Sequence, residues 1–347
     1  MHVPMAIRRG CIGALVASLS FTAACASGGP ASRSARTAAS SPSSCAGRFT
    51  VAVHGSRLAL PYCTNRSLRV RDTRVRRLVV VVHGTQRNAA DYERFMLAAA
   101  RAAHVSDALI VAPHFLDGSD HPARGVLRWT SDGWKQGDQS QTSPAVSSFA
   151  ALDRLIGGIV ASRRFPRLAE VVVAGHSAGG QFAERYAAAN RLALRVPVRY
   201  VVANPSSYLY LSPERPVRGT TDSFAPPPAG DCRGYDDYKY GLRALNPYLT
   251  AVGAARIRAQ FASRRVTYLL GANDTDPHDS SLDTACAAEL QGAFRRQRGE
   301  AFFNYLGHLY GTRVYATQSE RIVPGVAHDA AAMFASPDGR RVLFGGG

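Results

Sequence analysis

Apolar residues along this chain come in two textures: short unbroken runs, and longer stretches in which they recur every three or four positions. The unbroken runs lie within Val75–His83, Ala108–Pro113, Val171–Ala174, Arg199–Ala203 and Val266–Leu270, with a last one inside Thr312–Val323. A strand with one wet face would alternate, so continuous apolar runs bounded by turn residues predict strands buried on both faces, the habit of parallel sheets. Helical spacing is read over Ala89–Ala103, Ser147–Ser162, Gln181–Asn190 and Asp283–Arg298. In the first of these, Tyr92, Phe95, Met96 and Ala99 share one face. Phe49–Val53 and Leu58–Leu60 alternate instead, around His54-Gly55-Ser56, and predict a hairpin. Strands that take turns with helices predict an α/β fold: a mostly parallel central sheet with helices on both faces.

One connection breaks the rhythm. Between the strand ending at Ala203 and the strand beginning near Val266, the segment 204–265 carries the Pro226-Pro227-Pro228 run and six interspersed tyrosines. Connections this long are functional or disordered, and the aromatic content argues for ordered packing. We read it as a cap insertion over the C-terminal ends of the strands.

The run Val171–Ala174 leads into Gly175-His176-Ser177-Ala178-Gly179-Gly180, a G-x-S-x-G string with a strand before it and a helix after it. That context is what a nucleophile elbow requires. The serine occupies a strained turn, the residues two before and two after it must be small, and the following helix aims its free N–H groups at the same spot. A serine hydroxyl is a weak nucleophile without a base in reach, and in this topology an acid and then a histidine follow in chain order. Gly271-Ala272-Asn273-Asp274-Thr275-Asp276 supplies the acid on a turn directly after a buried strand, and Val323-Pro324-Gly325-Val326-Ala327-His328-Asp329 supplies the histidine after the last strand. Asp274 is the expected partner of His328, with Asp276 its competitor. Acyl transfer also needs donors for an oxyanion. The N–H of Ala178, next to the nucleophile, and that of Thr85, in the loop His83-Gly84-Thr85, are the expected pair. His83 itself reads as structural. Trp129, Trp134 and Lys135 stand between a strand and a helix, where they line a pocket or simply pack. His104, His114 and His121 lack metal-ligand spacing, so the reading calls for no metal and no cofactor.

Taken together, the Val-Val-His-Gly loop, the GHSAGG elbow, the GANDTD acid turn and the VPGVAHD histidine resemble the alpha/beta-hydrolase superfamily. In particular they resemble its exported bacterial and fungal serine hydrolases of the esterase and polyester-depolymerase type. The resemblance spans Phe49 to Leu343 and implies the alpha/beta-hydrolase fold. It implies Ser177, Asp274 and His328 as a catalytic triad, with Thr85 and Ala178 as oxyanion donors. Two features depart from the family: a single glycine follows His83, and the cap matches no substrate class.

Charge and cysteines add the setting. The 347 residues carry a formal charge of +17, nearly all from arginine, since Lys135 and Lys239 are the only lysines. The arginines are scattered in pairs such as Arg295-Arg296, with no basic stripe and no nucleic-acid-binding signature, so no nucleic-acid partner is expected. Arg8 and Arg9 precede a short apolar stretch that ends in Ala23-Ala24-Cys25-Ala26, an export leader over residues 1–26. Processing is open between soluble secretion and a lipoprotein cut that would anchor the chain to a membrane through Cys25. A Ser/Gly/Ala-rich linker spans 27–44, and the hydrolase domain spans 45–347. Export permits disulfides, and of the three pairings open to four cysteines we favour Cys45 with Cys63 and Cys232 with Cys286. The function read from these features is an exported serine esterase that works through an acyl-enzyme. The same triad would equally serve an amidase, a peptidase or an acyltransferase, and a non-catalytic surface-binding lipoprotein is the third reading. Oligomeric state is not encoded in any of these patterns.

Overall fold

The structure, a computed structural model, describes residues 44–345. The leader, Cys25 and the linker up to residue 43 lie outside the described residues. Eight strands form the main sheet: β1 (Ser44–Val53), β2 (Ser56–Thr64), β3 (Arg77–Val82), β4 (Ala108–Pro113), β5 (Glu170–His176), β6 (Val198–Ala203), β7 (Arg265–Gly271) and β8 (Gln318–Val323). Their spatial order is β1-β2-β4-β3-β5-β6-β7-β8. β2 runs antiparallel to both β1 and β4, and from β4 onward every pairing is parallel. The β1–β2 turn is made by His54 and Gly55, both at positive φ (46° and 79°), as a two-residue hairpin of right-handed strand twist demands.

Successive strand residues point to opposite faces, and each face buries its own core. Leu78, Val80, Val82, Val171, Val173, Tyr200 and Val202 enter one cluster; Val79, Val81, Val172, Ala174, Val201 and Ala203 enter the other. The second face is covered by α1 (Ala89–Ala102), which contributes Tyr92, Met96 and Ala99, and by α6 (Ala330–Ala335) and α7 (Pro337–Phe344). The first is covered by α2 (Ser148–Ala161), α3 (Ala178–Ala189), α4 (Ala254–Phe261) and α5 (Arg295–Tyr310). This is the doubly covered sheet expected from the unbroken apolar runs. Among the described residues, no helix is long and apolar enough to cross a membrane.

The helix expected over Asp283–Arg298 is not formed as one unit. A single turn, Cys286–Glu289, is followed by a break at Gly292, whose φ is 141°, and by an extended Phe294; α5 starts only at Arg295. The buried face of α5 opens with Arg295 and Arg298 before Phe302 and Tyr305, so an apolar count could not find where it begins. The elbow helix also starts three residues earlier than expected, at Ala178 rather than Gln181.

The segment 204–265 is ordered. Tyr208 and Tyr210 are fully buried, Tyr208 stacked on Phe302 and Tyr210 tilted against Tyr305 of α5, and Tyr248 donates a 2.6 Å hydrogen bond to Asp153 of α2. A two-rung ladder joins Arg215–Pro216 to Phe224–Ala225. Disulfides join Cys45 to Cys63 across the first hairpin and Cys232 to Cys286, which ties this segment to the turn ahead of α5.

β3 and β5 are neighbours, yet the chain leaves β3 toward β4 on one side and continues from β5 toward β6 on the other. A crevice opens at such a switch point, beyond the strand C-termini. The elbow fits there only because its glycines allow backbone contact. A Cβ on Gly179 would lie 2.2 Å from the Val82 carbonyl oxygen, and one on Gly175 would lie 2.1 Å from that of Gly179. Gly179→Ala should therefore lose at least about 2 kcal/mol in urea denaturation, since the clash is with backbone. Gly157→Ala, in α2 with nothing within 4 Å of the added methyl, should instead gain about 1 kcal/mol.

Candidate active site

Ser177 ends β5 and starts α3 at φ 59°, ψ −123°, a left-handed-side conformation that a serine adopts only when its surroundings enforce it. The enforcement is visible: the Ser177 N–H donates to the Ala203 carbonyl at 3.0 Å, while its own carbonyl accepts from Gln181 N–H at 3.0 Å as α3 begins. The side chain keeps little exposure, 7 %. Among the described residues its hydroxyl makes no hydrogen bond.

Asp274 follows β7 and is 3 % exposed; its Oδ2 accepts from His328 Nδ1 at 2.7 Å. The alternative acid, Asp276, is exposed and accepts from the His278 N–H at 2.8 Å, as a turn cap does. His328 lies between β8 and α6 with its side chain 16 % exposed, and its ring centroid is 4.6 Å from that of His176, the residue before Ser177. Thus Asp274 and His328 are in contact, and His328 is brought beside the elbow. Burial, followed by the nearby His328 and Arg295, holds the His176 imidazole well below its ordinary range, so it stays neutral.

The loop after β3 is held from both sides. His83 is fully buried; it accepts from the Phe115 N–H at Nε2 (3.0 Å), which leaves Nδ1 to donate to the Gly84 carbonyl (2.9 Å). Two uses of a neutral ring account for both nitrogens, and burial drives its pKa down to about 3. Arg87 closes the loop with ion pairs to Asp117 (2.9 Å) and Asp120 (2.8 Å). The N–H groups of Thr85 and Ala178 donate to no protein acceptor among the described residues. Trp129 and Trp134 are fully buried, in contact with Phe115, and Trp134 lies 4.6 Å from the His83 ring; they pack beneath the loop rather than line an opening.

Sequence reasoning missed two residues here. Asn204, fully buried at φ 42°, stands just past β6. Its amide donates to the Ala327 carbonyl (3.2 Å) and faces His176 Nε2 (3.3 Å), and its Oδ1 accepts from the Gly271 N–H (2.8 Å). One side chain thus joins the elbow, the acid turn and the histidine loop. Arg295, on α5 and wholly buried, reaches the other oxygen of Asp274 at 3.4 Å. The available signal for Asn204 was a polar residue directly after a buried strand; Arg295 looked like one of many scattered arginine pairs.

No family model matches this chain, and no curated protein matches it either. Solved structures do. Poly(aspartic acid) hydrolase-1 from Sphingomonas sp. KT-1 is similar at a TM-score of 0.59 and 21% identity, over 86% of this chain and 98% of that one. LpqC, a poly(3-hydroxybutyrate) depolymerase from Bordetella parapertussis, is similar at a TM-score of 0.57 and 25% identity, over 86% of this chain and 90% of that one. This chain has the alpha/beta-hydrolase fold. Past the C-terminal ends of the strands, His328 contacts Asp274 and lies beside His176, the residue before Ser177.

Asn204→Ala should cost about 3 kcal/mol, read as a lower urea midpoint at an unchanged slope. It strands the buried Gly271 N–H and places alanine at positive φ.

Proposed function

We propose that this chain is a serine hydrolase that cleaves carboxylic esters through an acyl-enzyme. The observation that carries the reading is the 2.7 Å contact of His328 Nδ1 with a buried carboxylate, beside a serine held at positive φ at the mouth of the sheet. A carboxylate only accepts hydrogen bonds, so Nδ1 carries the proton and Nε2 is left as the base. In this scheme Nε2 takes the Ser177 proton as Oγ adds to the ester carbonyl, and the N–H groups of Thr85 and Ala178 receive the oxyanion. The imidazolium then protonates the leaving alcohol. Water repeats the sequence and releases the acid. Free N–H groups at Thr85 and Ala178 support this assignment, since helix α3 begins at Ala178 with its first donors unused.

The segment 204–265 is proposed as a cover beside this site, fastened by the Cys232–Cys286 bond. Export is proposed as well, supported by the leader-like N-terminus and by the two disulfides, which persist in oxidising compartments.

The test is hydrolysis of p-nitrophenyl esters of increasing chain length, with labelling by a fluorophosphonate. Ser177→Ala should abolish labelling and lower kcat by about 10⁴-fold or more. Asp274→Asn should cost about 10³ to 10⁴ in kcat, and Asp276→Asn little. A Ser177→Ala protein that keeps a tenth of the activity rejects the nucleophile. A large loss at Asp276 with none at Asp274 moves the acid.

A further inference from the structure

Arg295 is the least expected charge in the molecule. It lies at the first turn of α5, is wholly buried, and spends its donors on four side chains from two separate segments. Nε donates to Ser206 Oγ at 3.0 Å; one terminal nitrogen faces Asp274 Oδ1 at 3.4 Å; the other donates to Asp279 Oδ1 at 2.9 Å and Ser281 Oγ at 2.8 Å. The next residue reinforces the same turn: the Arg296 N–H donates to the Asp274 carbonyl at 3.1 Å and its guanidinium to the Ala272 carbonyl at 2.8 Å. Asp274 is therefore gripped from both oxygens, His328 on Oδ2 and Arg295 on Oδ1.

A buried carboxylate that served only to satisfy an ion pair would not also hold an imidazole, and an imidazole needs no guanidinium behind its carboxylate. Joining the two has a consequence. The fixed positive charge orients the carboxylate, and it also opposes the second positive charge that forms when His328 takes a proton. Asp279 tempers this by holding the far side of the guanidinium. Although burial works against it, hydrogen bonds from Arg295 and Ser281 keep the Asp279 carboxyl well below the usual range.

We propose that Arg295 is a positioning residue for the proposed Asp274–His328 pair, which fixes the carboxylate that orients the His328 imidazole. The inference rests on the ester-hydrolase reading of the site. The charged and titratable groups that face the pair are His176 on β5, Arg295 and Arg296 on α5, Asp279 in the loop after the acid turn, Asp329 beside His328, and Tyr208 from the 204–265 segment. Of these, Arg295 alone carries a full charge in direct contact with Asp274 through its side chain.

The experiment compares the acid limb of kcat/KM on p-nitrophenyl acetate in wild type, Arg295→Gln, Arg295→Lys and Asp279→Asn. The His328 imidazole resonance, assigned with His328→Gln, is titrated by NMR in the same proteins. Removing the positive charge should move both midpoints to higher pH by about one unit and lower kcat about tenfold with KM unchanged. Lysine should restore the midpoint. Asp279→Asn, which removes a negative charge from the far side, should shift it the opposite way. A lower melting temperature with unmoved midpoints in all variants would overturn the proposal. Should Arg295→Gln fail to fold, the direction of the Asp279→Asn shift decides. Should wild type show no Ser177-dependent hydrolysis, the ester-hydrolase reading falls, and the NMR midpoints alone then support or overturn the role of Arg295.

Discussion

The side-chain amide of Asn204 holds the crevice together. Strand pairing organises the sheet, but it stops at the C-terminal edge, where the elbow, the acid turn and the histidine loop leave the ladder with polar backbone unpaired. Asn204 offers a donor and an acceptor in one plane, and it meets Gly271, Ala327 and His176 together. Its backbone N–H donates to Leu269 at 3.1 Å, so the side chain is aimed by β7 itself. Backbone bonds such as Asn273 N–H to the Val326 carbonyl (2.9 Å) join two of these loops directly, and among the side-chain bonds of the described residues Asn204 ties the elbow to both.

The same edge explains why so much charge is buried there. All twelve residues of α3 are buried, Gln181, Glu184 and Arg185 among them, because α2 and the first residues of the 204–265 segment cover the face that would otherwise meet water. Burial raises the Glu184 pKa to about 8, so this side chain is predominantly neutral at neutral pH, while Arg185 keeps its hydrogen bonds through Gln181 and Ser207. Arg298 donates to the Ser206 and Asp283 carbonyls. These arginines replace water as donors to backbone that the long connection carries inward, which a shorter apolar crossover would not need. Part of the high positive charge is thus structural, spent inside the fold and not displayed to a partner.

Backbone strain and side-chain charge meet at Ser177 and Asp274. The elbow glycines let β3, β5 and α3 touch through their main chains, and Ser177 sits at positive φ where they meet. The carboxylate is held as firmly, but by side chains, a histidine and an arginine, while the main chain of α5 holds the Asp274 carbonyl. A serine set by steric closeness and a carboxylate set by electrostatics respond to different perturbations, which makes the two separable by mutation.

Much of this was legible in the sequence, and for a definite reason. Unbroken apolar runs encode strands buried on both faces because burial acts on each residue alone, and the small residues around Ser177 encode the elbow because steric exclusion is local. That Ser177, Asp274 and His328 each stand just past a buried strand follows from the same periodicity. What the pattern of residues could not carry was anything that depends on which segments meet. The start of α5 was hidden because its buried face begins with arginines, whose burial is decided by Asp274 and Asp283 far from it in the chain. The roles of Asn204 and Arg295 belong to the same class: a polar side chain has no preferred partner until the fold supplies one, and only the tertiary structure brings that partner within hydrogen-bond distance.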